Sequence, residues 1–289
     1  MLGLDPDPAR LWPQALEWVD QRAGVGQPAA LRAAQAVTVH CALVIEAVAE
    51  HCVAVKPQVA CFERLGAAGW TALVEVVAHA HRHDLMVIAD AKRGDIDVSA
   101  AAYGQAFFGG TETPYGLVPG LGADALTINP LLGSDAVAPL VRAARATAGG
   151  VFVLVRTSNP GAKDVEEQIL QDGGPVSELL ARMTAGFGAD GVGSAGLSDV
   201  GAVVGATAPE RLSRMRELMP HAVFLLPGVG AQGGRVEDLA AAFAPGPAGG
   251  LVSASRGIVS AHERDGSDPA QAAAAEAQRL RRLAWQLVA

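Results

Sequence analysis

Eight short apolar runs, each followed by a segment with helical spacing, set the tightest limit on how this chain can fold. The runs are residues 1–5, 52–56, 85–90, 123–127, 150–155, 199–205, 222–226 and 248–253. The helical segments are 28–50, 62–82, 94–108, 133–148, 175–188, 209–219, 234–243 and 269–288. The last opens with Ser267-Asp268-Pro269, a cap residue followed by proline in the first turn. Eight parallel strands joined by helical crossovers can close and leave no unpaired edge. The expectation is therefore α/β, a (β/α)8 TIM barrel, with residues 1–289 as one domain, because no linker rich in Pro, Ser or charge interrupts them. Met1 runs straight into the first apolar segment, so the lead-in to the first strand is expected to be short, which bears on barrel closure more than on chemistry.

Half of the residues are hydrophobic and 18% are charged, which supplies a substantial core and excludes a disordered chain. A net charge of −8 argues against general binding to nucleic acid or to an anionic membrane, while leaving room for a local cationic pocket that takes one small anion. Cys41, Cys52 and Cys61 are odd in number and lack CxxC spacing, so they are expected to be reduced thiols in a cytoplasmic protein. No apolar run approaches membrane-spanning length and no basic-then-apolar signal opens the sequence. Trp12, Trp18, Trp70 and Trp285 are read as helix packing residues, with no stacking surface for nucleic acid.

In such a barrel, chemistry sits where strands end and loops begin. Polar residues fall there repeatedly: Asp5, Lys56, Asp90 with Lys92, Thr127 with Asn129, Thr157-Ser158-Asn159, and Ser253, Ser255 and Arg256. The densest group is Asp90-Ala91-Lys92-Arg93-Gly94-Asp95-Ile96 at the tip of a hydrophobic strand. Strand alternation would turn Asp90 and Lys92 the same way if extended geometry persists that far. A lysine that forms a Schiff base needs a depressed pKa, whereas Asp90 and Asp95 beside Lys92 favour the ammonium, which suits a proton donor. Lys56 adds a second cation able to neutralise and orient the carboxylates. An array of this kind is costly to desolvate and suits charge developing on a substrate.

Pro227-Gly228-Val229-Gly230-Ala231-Gln232-Gly233-Gly234 follows the seventh apolar run. Glycines allow backbone to approach an anion, and the start of the next helix is expected to add unpaired N–H groups and a positive dipole end. The loop also satisfies GxGxxG, but a dinucleotide fold wants an acidic residue at the end of the next strand, where this chain has Ser253-Ala254-Ser255-Arg256. An arginine there fits a phosphate clamp better.

The Asp90–Ile96 element, with Leu4-Asp5-Pro6, Val55-Lys56-Pro57-Gln58, Arg156-Thr157-Ser158-Asn159-Pro160, the glycine loop and Ser255-Arg256-Gly257-Ile258, resembles the orotidine 5'-monophosphate decarboxylase family, in particular its longer bacterial, mycobacterial-type subgroup. The resemblance runs in order along nearly the whole chain. It implies a (β/α)8 homodimer that converts orotidine 5'-monophosphate (OMP) to UMP and CO2 in pyrimidine biosynthesis, without metal or organic cofactor. By the same resemblance, Lys92 protonates C6 of the pyrimidine and Asp90 faces the departing carboxylate. Asp95 reaches into the partner's site, Lys56 bridges the charged array and the ribose, and Asp5 holds a ribose hydroxyl. Ser158 contacts the pyrimidine amide edge, and Pro227, Gly228, Gly230, Gln232 and Gly233 with Arg256 bind phosphate. Where the family continues Gly-Asn-Thr, this chain has Asp97-Val98-Ser99, and Ser99 keeps a hydroxyl at the position of the threonine.

Two alternatives stand beside this reading. One is a related phosphosugar barrel of the 3-keto-6-phosphogulonate decarboxylase type, which is Mg2+-dependent; the other is a non-catalytic nucleotide-binding barrel. His79 and His83 share a helix face at four-residue spacing that can bind metal, but no carboxylate or cysteine partner is evident in the sequence, so with His81 they are read as imidazoles near a helix C-terminus. The run Lys163-Asp164-Val165-Glu166-Glu167 is read as a solvated loop or short helix.

Overall fold

Parallel strands covered on both faces read as unbroken apolar runs, and Ala125-Leu126-Thr127-Ile128 is buried at every position. The computed structural model describes all residues except 23, 25, 172, 288 and 289. Its elements begin β1 (Leu2–Leu4), α1 (Pro13–Arg22), α2 (Ala29–Val48), β2 (Ala54–Pro57), α3 (Val59–Glu63), α4 (Gly66–Arg82), β3 (Met86–Arg93) and α5 (Asp97–Phe107). They continue β4 (Gly110–Thr113), β5 (Gly116–Pro119), β6 (Ala125–Ile128), α6 (Ser134–Ala146), β7 (Gly150–Arg156), α7 (Ala162–Val165) and α8 (Val176–Gly188). The chain ends with β8 (Ser198–Val204), α9 (Leu212–Leu218), β9 (Ala222–Leu226), β10 (Gly250–Val252), α10 (Arg256–Val259) and α11 (Pro269–Gln286). The sheet order β1-β2-β3-β6-β7-β8-β9-β10 is sequential, which is the strand order of the (β/α)8 barrel fold.

Packing divides the chain into two units, Met1–Ala91 with Ser255–Arg281 and Lys92–Ala254 with Arg282–Ala289. In the first, β1, β2 and β3 pair in parallel, and α2 and α4 turn Val37, Cys41, Val44, Ile45, Leu73, Val76 and Ala80 inward at helical spacing. One correction concerns α2: by length and composition, Ala29–His51 could span a membrane. Its apolar stripe is instead that of a core helix, with Ala34, Val37, Cys41, Val44, Ile45 and Val48 buried in the protein. Trp12 lies just before α1 and not within a helix; its indole N–H donates to the Val259 carbonyl at 3.0 Å.

In the second unit β6 to β10 pair in parallel, and α6 buries Ala136, Val137, Leu140, Val141 and Ala144 along one face. The Arg216 guanidinium lies 3.8 Å from the centre of the Phe224 ring and donates to the carbonyls of Met219, Ala222, Ala242 and Gly249. Burial lowers its pKa to about 10, so it remains a cation at neutral pH. Two expectations change here. Residues 109–122, which carry no predicted element, contain the antiparallel hairpin β4–β5, whose two-residue turn is Pro114-Tyr115 and whose second strand opens at Gly116 with φ +108°. Residues 234–243 form 3-10 turns at Val236–Asp238 and Ala240–Phe243 in place of the predicted helix. Glycines before this segment and Pro245-Gly246-Pro247 behind it leave too few residues for stable α-helical turns.

A buried imidazole gives the first unit a pH dependence of definite sign. His40 Nδ1 accepts the Trp12 amide at 3.1 Å, and the Trp12 ring meets the His40 and His262 rings edge-on. Burial, reinforced by His262, lowers the His40 pKa to about 4. Above pH 6.5 the ring is neutral in both folded and unfolded chains; below it only the unfolded chain takes up the proton, so stability is lost as pH falls toward 4. The full effect is on the order of 3 kcal/mol. His40→Gln keeps an acceptor for the Trp12 amide, and its denaturation midpoint should fall less steeply than the wild type's between these pH values. Identical slopes would remove His40 as the cause.

Candidate active site

In the first unit, β2 and β3 lie in register and deliver charge to their C-terminal ends. Lys56 Nζ is 2.5 Å from Asp90 Oδ2, and Gln58 Nε2 donates to the same oxygen at 3.2 Å. Lys56 and Asp90 are only 7% and 6% exposed. A carboxylate this deep is tolerated because an ammonium and an amide hydrogen satisfy it. The ends of β1 and β2 are tied by the Gln58 amide donating to Leu4 O at 2.8 Å, and Asp5 follows β1 with an exposed side chain. Arg256 is exposed at the first position of α10.

In the second unit, Lys92 is exposed and its φ is +49°, in the left-handed region that non-glycine residues rarely occupy. Extended geometry therefore does not persist through Lys92, and the expected alternation from Asp90 stops short of it. Its amide donates to Thr127 Oγ1 at 3.0 Å, and the next carbonyl, of Arg93, accepts from the Asn129 amide at 2.7 Å. Gly94 is required by this approach: a Cβ there would come within 2.5 Å of Asn129 O. The Arg93 guanidinium lies over the Tyr103 and Phe107 rings of α5. Asp95 is half-buried with Oδ1 accepting the Ile96 amide at 2.8 Å, and Ser99 is exposed in the first turn of α5.

The Lys163–Glu167 run overlaps the expected short helix, α7, and the two acids after it are half-buried against the Arg156–Pro160 loop, which they shape. Glu166 accepts the Thr157 amide and hydroxyl, each at 2.8 Å, and Glu167 accepts from Arg156 at 2.7 Å. That hydrogen bond to Arg156 holds Glu167 below the usual carboxylate range. A nearly buried arginine at the end of an apolar strand was the available signal, because such a cation needs an acid nearby. Thr207 Oγ1 donates to Ser158 O at 3.0 Å.

The glycine loop meets Ser158 in the same unit. Gly228 has φ +100°, and a Cβ there would lie 3.0 Å from Ser158 Cβ and 3.2 Å from Gln232 Oε1. Ser158, Gly228 and Gln232 are thus neighbours. The amides of Gly230, Gly233 and Gly234 donate to carbonyls of the loop itself, at 2.9, 2.8 and 3.0 Å. The helix expected to follow the loop is a three-residue 3-10 turn carrying Glu237 and Asp238, so the helix-dipole contribution expected for an anion is absent.

Residues 34–275 match the family model described as the orotidine 5'-phosphate decarboxylase / HUMPS family. Among curated relatives, an orotidine 5'-phosphate decarboxylase of Rhodopirellula baltica is 41% identical over 91% of this chain and 84% of its own length. That of Deinococcus radiodurans is 48% identical over 74% of both chains. A crystal structure from Streptomyces avermitilis, assigned to the same enzyme, superposes with a TM-score of 0.76 at 32% identity, covering 99% of this chain and 90% of that one. With the sequential eight-strand order and the charged strand ends of β2 and β3, these similarities show that the chain belongs to the orotidine 5'-phosphate decarboxylase / HUMPS family.

Proposed function

We propose that this chain decarboxylates OMP to UMP, in a cytoplasmic step of pyrimidine biosynthesis, without metal or organic cofactor. The observation that carries the reading is the 41–48% identity to curated decarboxylases over most of the chain. The buried Lys56–Asp90 pair supports it. The bond from C6 to the substrate carboxylate breaks, CO2 leaves, and the electron pair left at C6 takes a proton from Lys92 Nζ. Asp90, held in place by Lys56 and Gln58, sets a fixed negative charge beside the departing carboxylate. Lys56 and Lys92 offset the negative charge that develops at C6. Asp5 and Lys56 hold the ribose, and Ser158 reads the pyrimidine amide edge. Phosphate falls to Arg256, Gln232 and the loop from Pro227 through Gly228 to Gly233. The Gly230 and Gly233 amides are engaged inside the loop, which holds its turn in shape for the phosphate. The phosphate contacts lie away from the bond that breaks, so their energy holds the ring in place for the charged residues.

We further infer a homodimer in which Asp95 and Ser99 serve the partner's site. On α5, the β4–β5 hairpin and the loop after β6, the second unit exposes Val98, Tyr115, Leu117, Val118, Leu131 and Leu132, apolar side chains that a second copy would cover. Val98 stands between the two residues proposed to be lent.

An assay for CO2 release from OMP in the presence of EDTA separates this reading from the Mg2+-dependent phosphosugar alternative; activity that EDTA abolishes would count against it. Lys92→Ala should reduce turnover by at least roughly 10²–10⁴-fold while UMP still binds. Retained turnover would remove Lys92 as the acid. Mixing Lys92→Ala with Asp95→Ala chains should restore activity at the one site of each hybrid that has both residues. No recovery despite demonstrated subunit exchange would overturn the shared site.

A further inference from the structure

The histidine pair on α4 gains in three dimensions the partner that it lacks in sequence. His79 and His83 are one helical turn apart, with ring centroids separated by 4.8 Å. From α2, Glu46 places Oε1 3.2 Å from His79 Nε2. One ligand atom from each of the three residues lies within 4.8 Å of the other two. The His79 Nε2 atom is buried and makes no hydrogen bond. It lies 3.2 Å from the Glu46 carboxylate, beside the Ala42 turn of α2, without the angle of a good hydrogen bond.

We propose that Glu46, His79 and His83 bind a first-row divalent cation of the zinc type through two imidazole nitrogens and one carboxylate oxygen, with a fourth position open to water. Imidazoles select against Mg2+ and Ca2+, which prefer oxygen, and favour zinc and its neighbours. Ligand distances of about 2.0–2.2 Å place tetrahedral ligand atoms roughly 3.3 Å from one another. His79 and Glu46 already have that spacing. His83 closes the remainder by side-chain rotation, which its place as the C-cap of α4 permits.

The immediate surroundings agree with this. His79 Nε2 is turned away from solvent against α2, where the Glu46 carboxylate approaches it. Arg82 now donates to His79 Nδ1 at 3.0 Å. Coordination through Nε2 places the ring proton on Nδ1, so Arg82 must swing away, and its exposed position lets it do so. The cation joins α2 to α4 and takes no part in the proposed decarboxylation.

The test is zinc titration by calorimetry on the untagged full chain, stripped with EDTA and dialysed, with Co2+ absorption reporting ligand geometry. One equivalent should bind and raise Tm. Glu46→Gln and His83→Ala should each weaken binding at least as much as the roughly tenfold typical of losing a hydrogen bond behind a metal ligand. Arg82→Ala, which removes a competitor for His79, should tighten it. His81→Ala should leave binding unchanged, and all four variants should keep the basal activity of the untreated enzyme. Absence of saturable binding, or binding that both Glu46→Gln and His83→Ala leave intact, overturns the proposal.

Discussion

The contact between Lys56 and Asp90 is the constraint around which the strand ends of the first unit are arranged. Removing either charge from water costs several kcal/mol, and mutual attraction offsets this only where geometry is good and the remaining polar atoms are satisfied. The parallel register of β2 and β3 supplies that geometry, and Gln58 adds a hydrogen bond to the same carboxylate oxygen. A hydrophobic pair of similar volume would avoid the desolvation cost. A charge fixed in a poorly solvated place gives an electrostatic field that needs no reorganisation during reaction, and the proposed chemistry uses that property.

The second unit reaches its geometry by a different route, through backbone conformations that ordinary strands and helices do not contain. Lys92 turns left-handed at the end of β3, Gly94 lets the chain pass against Asn129, and Gly228 lets the glycine loop sit against Ser158. Polar neighbours hold Lys92 and the loop that Gly228 meets: the hydroxyl of Thr127 under the Lys92 amide, and Glu166 and Glu167 under the Thr157 loop. The residues assigned to substrate rest on others that touch only protein. Thr127, Glu166, Glu167 and Thr207 are therefore expected to govern how well the loops hold their shape.

Both units bury polar side chains, His40, Lys56 and Asp90 in the first and Thr127, Arg156 and Arg216 in the second, and the second carries many of its exposed apolar side chains around Val98, the hairpin and Leu131-Leu132. A second chain covering those residues would stand beside Asp95 and Ser99. Proposed assembly and proposed catalysis would then draw on the same few residues of the chain.

The sequence by itself determined what depends on periodicity and on neighbours along the chain. Eight apolar runs marked the eight barrel strands, because a strand buried on both faces must be apolar throughout. The motifs at the strand ends located Lys56, Asp90, Lys92 and the glycine loop, because their spacing is local. Tertiary structure decided whatever requires two distant segments to meet. Glu166 and Glu167 look solvated until Arg156 and Thr157 are placed beside them, and the His79–His83 pair has no acid until α2 brings Glu46 across. Backbone strain at Lys92 was equally hidden, since no local propensity favours a left-handed lysine. The Thr127 hydroxyl from β6 accepts its amide hydrogen, and that contact exists only once the strands have assembled.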